Sequence, residues 1–237
     1  MPRLFPLVPT LTVVVLLAVL VSLGLWQIDR MHQKEAMLAR YQANSTAAPA
    51  PLPLRIERPE DFAFRRVLLA CVFEGEARLS PGASPAGKAG QHVYALCREA
   101  GRGERVVVDL GWQPMQAAAP VVAGLEAHVQ GVARPWFGHT MVERLSGSAR
   151  VSPESFGGGA PVAPVFVQAE RVAPLAGSVF PEVRPSPVRP EAIPNNHRSY
   201  AIQWFLFALT LLVIYGVYLY RWRRLQRESG GDTVRRH

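Results

Sequence analysis

Little in this sequence supports ordinary enzyme chemistry. It has no Gly-x-Ser-x-Gly elbow, no His-Glu-x-x-His helix, no phosphate-binding loop and no dinucleotide fingerprint. The run Gly157-Gly158-Gly159 lacks the Lys-Ser/Thr that a phosphate loop needs. Acidic residues are scattered rather than paired, which leaves no general acid–base couple and argues against a hydrolase or transferase. Cysteine is scarce. Cys71 and Cys97 are the only two, and their spacing is not that of a Cys-x-x-Cys metal or redox pair. Both stand in strand-like runs, where two isolated cysteines favour buried free thiols over a disulfide, although an oxidising compartment permits the bridge. No internal repeat and no Arg-rich amphipathic leader is present, and the latter absence argues against a mitochondrial import signal.

Charge is missing from two long stretches, and these organise the chain. Leu4–Leu25 is the first. Ala201–Tyr220 is the second, with 20 residues and no formal charge. Each is about the length of helix that crosses a ~30 Å hydrocarbon core. Half of the net charge of +8 lies beyond the second stretch, where Arg221, Arg223, Arg224, Arg227, Arg235 and Arg236 face only Glu228 and Asp232. A basic cluster abutting a span is a positive-inside signal rather than a nucleic-acid footprint. The tail is therefore cytoplasmic, and two spans bring the N-terminus to the same side. The region between them lies outside, in the periplasm of a bacterial inner membrane. A cleaved leader ending near Ser22-Leu23-Gly24 is the competing reading of the first stretch. The length of the run and its unbroken passage into a helical pattern argue for a retained span.

The chain divides accordingly into residues 1–25 (N-terminus and first span), 26–44 (helical extension), 45–193 (outer domain), 194–220 (entry turn and second span) and 221–237 (basic tail). The extension has apolar contacts at helical spacing through Met31, the Lys34 stem, Met37 or Leu38, and Tyr41. Trp26 marks the membrane interface. Arg30, one turn on, meets lipid phosphate or a heme propionate. Gly24 permits close approach of a second helix, and Thr10 and Thr12 can bond backbone carbonyls within the span. Residues 44–53 read as an Ala/Pro linker. Short β-like runs follow at 64–73, 91–98, 105–112 and 125–133, with a weaker one at 165–168 and Gly/Pro turns between them. Residues 138–164 read as a flexible loop, and the Pro-rich stretch 174–194 as an extended return to the membrane. The fold class is an α+β membrane protein, two transmembrane helices flanking a periplasmic, mainly antiparallel β domain.

Of six histidines, five have bland readings: His32 exposed on the extension, His92, His128 and His139 at the surface or satisfied within the domain, His237 terminal. His197 differs by position. Pro194 ends any upstream helix, Asn195 and Asn196 are good N-cap residues, and His197 falls in the first turn. The positive end of a helix disfavours imidazolium, and neutral imidazole is the form that ligates metals, heme iron included. Trp204 lies two turns on, with Tyr200 and Ala201 between them and Phe207 or Ala208 continuing an apolar wall for a porphyrin. An interfacial His above a belt Trp is the plainer reading of the same residues.

Three segments resemble the surfeit-locus family, membrane-bound assembly factors of cytochrome c oxidase. They are Leu23-Gly24-Leu25-Trp26-Gln27 with Arg30 and Lys34; Val106-Val107-Val108-Asp109-Leu110-Gly111-Trp112; and Asn195-Asn196-His197-x-x-Tyr200-Ala201-x-Gln203-Trp204. The sequence departs from the family pattern at Leu110, where Arg is usual, at Gln33, where a second Trp is common, and at Cys71, where Gly is usual. The resemblance implies a non-enzymatic role in building the catalytic subunit of a heme-copper oxidase, with heme a held transiently and passed on. His197 is then the axial ligand, with Trp204, Tyr200 and Arg30 around the cofactor. The oxidase subunit, the heme a biosynthesis machinery and membrane lipid are the implied partners. A cofactor-free scaffold for oxidase subunits is the alternative within the family, and a periplasmic enzyme on two anchors the alternative outside it.

Overall fold

The computed structural model describes residues 5–136, 152–156, 161–175, 180 and 182–231. The chain forms two compact units, residues 1–37 with 194–237, and residues 38–193.

The first unit is a pair of long helices, α1 (Leu7–Thr46) and α2 (His197–Gly231). Both are long and apolar enough to cross a membrane, and only 6% of each apolar window is buried. α1 runs from the first apolar stretch through the extension without a break, because residues 10–46 contain neither a proline nor an unprotected helix stop. The only glycine in that run is Gly24, and it is buried. Thr10 and Thr12 donate to the carbonyls of Pro6 and Val8, as the sequence suggests. The turns of α1 from Leu38 onward belong to the second unit, where Asn44 donates to the carbonyls of Asp61 and Ala63 and Tyr41 stacks on Phe64.

Among the described residues, the second unit is built on six strands: β1 (Ala50–Pro51), β2 (Arg66–Ala83), β3 (Ala89–Arg98), β4 (Arg105–Gln113), β5 (Glu126–Pro135) and β6 (Val162–Pro174). Their order is β1-β2-β3-β4-β6-β5, and β5 pairs back onto β2. Strands β2 to β6 therefore close into a five-stranded barrel with the Greek-key order of an OB-fold. The sheet is mixed rather than simply antiparallel. β1 runs parallel to β2 and β4 parallel to β6, while the other pairings are antiparallel. The parallel β4–β6 contact could not be read from strand runs, since closing a barrel is a long-range event.

Period-two alternation selects the interior. Val67, Leu69, Cys71 and Phe73 of β2 point inward with Val93, Ala95 and Cys97 of β3 and Val106, Val108 and Leu110 of β4. Ala127, Val129 and Ala133 of β5 and Ala163, Val165, Val167 and Ala169 of β6 complete the core. The strands outrun the sequence reading. β2 continues to Ala83 and β3 starts at Ala89, so the turn between them shrinks to residues 84–88. β6 reaches from Val162 to Pro174. Most of the expected loop over 138–164 lies outside the described residues; within it, Pro153–Phe156 forms a 3-10 turn.

The cysteines correct an expectation. Cys71 and Cys97 form a disulfide, with Cα atoms 5.1 Å apart. Antiparallel register sets Phe73 opposite Cys97. Cys71, the next inward position on β2, then lies diagonally across from Cys97 at bridging distance. A separation of 26 residues concealed this, because a bulge between Glu74 and Arg78 shifts the hairpin register.

Candidate functional site

The helical pair meets along a seam. On α1 the covered positions include Thr10, Val13, Leu17, Leu20, Gly24 and Gln27, at alternating steps of three and four, with Leu23 and Ile28 beside them. On α2 they are His197, Ala201, Trp204, Phe205, Ala208, Leu211 and Tyr215. The helices are antiparallel, since Thr10 bonds Tyr215, Gly24 meets Phe205 and Gln27 meets His197. Gly24 is there for space: a Cβ added to it would lie 2.7 Å from Cζ of the Phe205 ring. Ala201 and Ala208 are the buried residues of α2 and keep that side of the seam thin. The outward residues are apolar, Leu7 at 71% and Val8 at 77% exposure among them.

At one end of the seam stands His197, the first residue of α2. Asn196 occupies the N-cap position, its carbonyl accepting from the Tyr200 N–H at 3.2 Å. The His197 ring is partly covered and its Nδ1 lies 2.7 Å from Oε1 of Gln27. Among the described residues of this unit, two buried polar atoms have no hydrogen-bond partner: Oδ1 of Asn195 and Nε1 of Trp204. Trp204 is partly covered and meets the Phe207 ring edge-on at 6.0 Å.

The expected site residues are only partly gathered. His197 and Trp204 share the seam, with Ala201 between them. Tyr200 is off it, 51% exposed. Arg30 is exposed and donates to Oε1 of Gln33 at 2.7 Å, which in turn donates to Asp29. The contact that the sequence reading did not assign is Gln27. It appeared there only as the last residue of the Leu23–Gln27 segment. Its position one turn past Gly24 on a helical face was the available signal.

Among the described residues, no three His, Cys, Asp or Glu side chains come together as a metal site. A lone imidazole therefore fits a metal that already carries its other ligands, as the iron of a heme does. The residues present suit such a group in two further respects. The seam is apolar beneath His197, and an indole N–H waits there without an acceptor.

The barrel holds a separate polar constellation on its outer surface. His92 on β3, Asp109 on β4, Gln168 on β6 and Arg134 on β5 form a row across neighbouring strands. Nδ1 of His92 lies 3.1 Å from Oδ2 of Asp109, whose side chain is 2% exposed. Asp109 also accepts from the Gly111 N–H at 3.1 Å and from Gln168 Nε2 at 3.5 Å. Gln168 Oε1 accepts from Arg134 and from the Val188 N–H, both at 3.2 Å. The hydrogen bond that His92 Nδ1–H donates to Asp109 raises the His92 pKa above its ordinary value against the opposing effect of burial. His92 is thus a satisfied polar residue, and the network ties the segment around Arg184–Val188 to the barrel, where Trp112 and Arg184 exchange backbone bonds of 2.8 Å.

Comparison with known proteins gives two findings. A family model described as the SURF1 family matches residues 14–209. A curated protein of Saccharomyces cerevisiae named cytochrome oxidase assembly protein SHY1 is 31% identical over 103 residues, covering 41% of this chain. The match spans about a quarter of that relative's length, 26%.

Proposed function

The chain belongs to the SURF1 family, and on that premise we propose that it is a non-enzymatic membrane assembly factor for a heme-copper oxidase. In this reading it holds heme a at His197 and releases it to the oxidase catalytic subunit. The single observation that carries the reading is the placement of His197 at the mouth of the helical seam, its Nδ1 engaged by Gln27 at 2.7 Å. That engagement leaves Nε2 as the atom able to meet an iron. The heme, when bound, would supply the redox-active iron centre that the oxidase needs; this chain's residues position and release. Trp204 offers the apolar wall and a hydrogen-bond donor.

Several features support a bacterial inner membrane with the sheet unit on the periplasmic side and both termini cytoplasmic. The two helices expose apolar side chains along their length, a surface that lipid covers at no cost. Arginines cluster at the end of α2. The Cys71–Cys97 disulfide suits an oxidising compartment. Lipid, the oxidase catalytic subunit and the machinery that makes heme a are the partners that follow.

The second reading, a cofactor-free scaffold that steadies oxidase subunits, draws on the exposure of Tyr200 and on the engagement of Arg30 by Gln33. One experiment separates the two. The full chain is purified in detergent from cells supplied with heme a, and its visible spectrum is compared with that of His197→Ala. The heme-holding reading expects a Soret band in the first and its loss in the second. A colourless parent protein that still supports oxidase assembly would leave the scaffold.

A further inference from the structure

The contact between Gln27 and His197 says more than that two helices touch. Oε1 of an amide has lone pairs and no hydrogen, so it can only accept. The proton in the 2.7 Å bond must therefore sit on Nδ1. A neutral imidazole carries one N–H, so Nε2 is left with its lone pair. In water the ring of histidine prefers the opposite arrangement, with the proton on Nε2 and no lone pair there for a metal. The amide of Gln27 reverses that preference.

The reversal depends on helix register. Gln27 and His197 belong to different helices, and nothing else in the described residues accepts from Nδ1. Register is fixed one turn away by the Phe205 ring over Gly24, and at the far end by the bond of Thr10 to Tyr215. A slip of one helical turn is about 5.4 Å, twice the length of the bond, and would return the ring to its solution preference.

We propose that Gln27 is a positioning residue that selects the ligand-competent tautomer of His197, and that it does so only while α1 and α2 are paired in register. The inference rests on the heme-holding reading for its use, but not for its test. Readiness to bind then becomes a property of the helix pair, and separating or sliding the helices releases what the ring holds. A partner that inserts between the helices would in this way discharge the site without touching the iron.

The test uses the full chain in detergent micelles, free of heme, with ¹⁵N-labelled histidine at about pH 8.5, above the ordinary imidazole range. Long-range ¹H–¹⁵N spectra distinguish the two tautomers, and His197→Ala identifies the ring. The expected result is a proton on Nδ1 in the parent protein, retained in Gln27→Glu, whose carboxylate also accepts. In Gln27→Leu the proton moves to Nε2. Gly24→Leu, which touches neither partner, is expected to do the same by wedging the seam. A parent ring protonated on Nε2, or a Gln27→Leu ring unchanged from the parent, overturns the inference. A merely structural Gln27 would not distinguish Glu from Leu in this spectrum.

A second arm titrates ferric heme into the same proteins and follows the Soret band. Loss of an orienting partner weakens metal affinity by about 10–100-fold, and that is the expectation for Gln27→Leu. Binding by His197→Ala equal to the parent's would remove the heme-holding reading and leave the tautomer result standing. Binding lost in His197→Ala but unaltered in Gln27→Leu would keep that reading and overturn the role of Gln27.

Discussion

Removing the disulfide should cost the barrel a calculable amount. Cys71 and Cys97 lie 26 residues apart, and closing a loop of that length removes about 3.5 kcal/mol of unfolded-chain entropy. Both residues are buried, at 3% and 0% exposure, so each sulfur deleted also leaves a void worth about 1 kcal/mol. Comparing Cys97→Ala with the double variant Cys71→Ala/Cys97→Ala isolates the second effect, since both lack the bridge and differ by one sulfur. For a body the size of residues 38–193, each kcal/mol moves Tm by about 2–4 °C, so the bridge alone is worth about 7–14 °C. The assay is thermal unfolding of the full chain in detergent, followed by the fluorescence of Trp112 and Trp136. Trp26→Phe, Trp204→Phe and Trp222→Phe silence the helical unit. A bridge contribution below about 2 °C would refute the entropic reasoning. Two alkylatable thiols in unfolded, unreduced protein would refute the bridge itself.

Three further outcomes follow from particular contacts. Gly24→Leu places a side chain where the Phe205 ring now sits and should widen the helix spacing by about 2 Å, within the 8–10 Å span set by side-chain size. Electron–electron distance measurements between spin labels at the exposed positions Leu7 and Tyr220 read the change, and an unaltered distribution contradicts it. The bond His92 donates to Asp109 raises the His92 pKa, so its contribution is full below the ordinary imidazole value of about 6.5 and is lost as pH rises through the raised folded value. His92→Gln should therefore lower Tm most at acidic pH, by about 1.5–3 kcal/mol of stability, and least at alkaline pH; a pH-independent gap defeats this assignment. Leu110 is 1% exposed in the core, so Leu110→Ala should cost about 2–5 kcal/mol by leaving a cavity, whereas Leu110→Met should cost under about 1.5 kcal/mol. Equal unfolding midpoints for the two variants would contradict the packing assigned to Leu110.

Local patterns carried much of this architecture. Charge-free length marks both helices, a helical period carries α1 through Met31 and Lys34 to Tyr41, and short β-like runs between Gly/Pro turns fall within all five barrel strands. Gly24 was legible because close approach of helices asks for a missing Cβ. What escaped the sequence was register. The Cys71–Cys97 bridge depends on a bulge between Glu74 and Arg78. The parallel β4–β6 pair depends on barrel closure, and the His92–Asp109–Gln168 row on strands adjacent in space but not in order. The site divides the same way. His197 was visible from its cap and its motif. Gln27 was not assigned, because its meaning comes from which residue of α2 it faces. Counting turns puts both Tyr200 and Ala201 between His197 and Trp204; Ala201 is buried in the seam, while Tyr200 is 51% exposed.

A site made from one imidazole and one orienting amide on different helices has consequences for how long it can hold a cargo. Affinity differences between related complexes are expressed mainly in dissociation, and on the heme-holding reading His197 would be the one protein ligand named for the iron. Tyr200 is 51% exposed and Arg30 donates to Gln33. Weak, singly ligated holding suits a protein that must surrender what it carries, and would be a defect in one that keeps a cofactor for turnover. The same sparseness explains why the tautomer matters. Where many groups share the binding, losing one lone pair is tolerable; on the heme-holding reading, with the ring of His197 as the only ligand, loss of the Gln27 amide would weaken binding by about 10–100-fold.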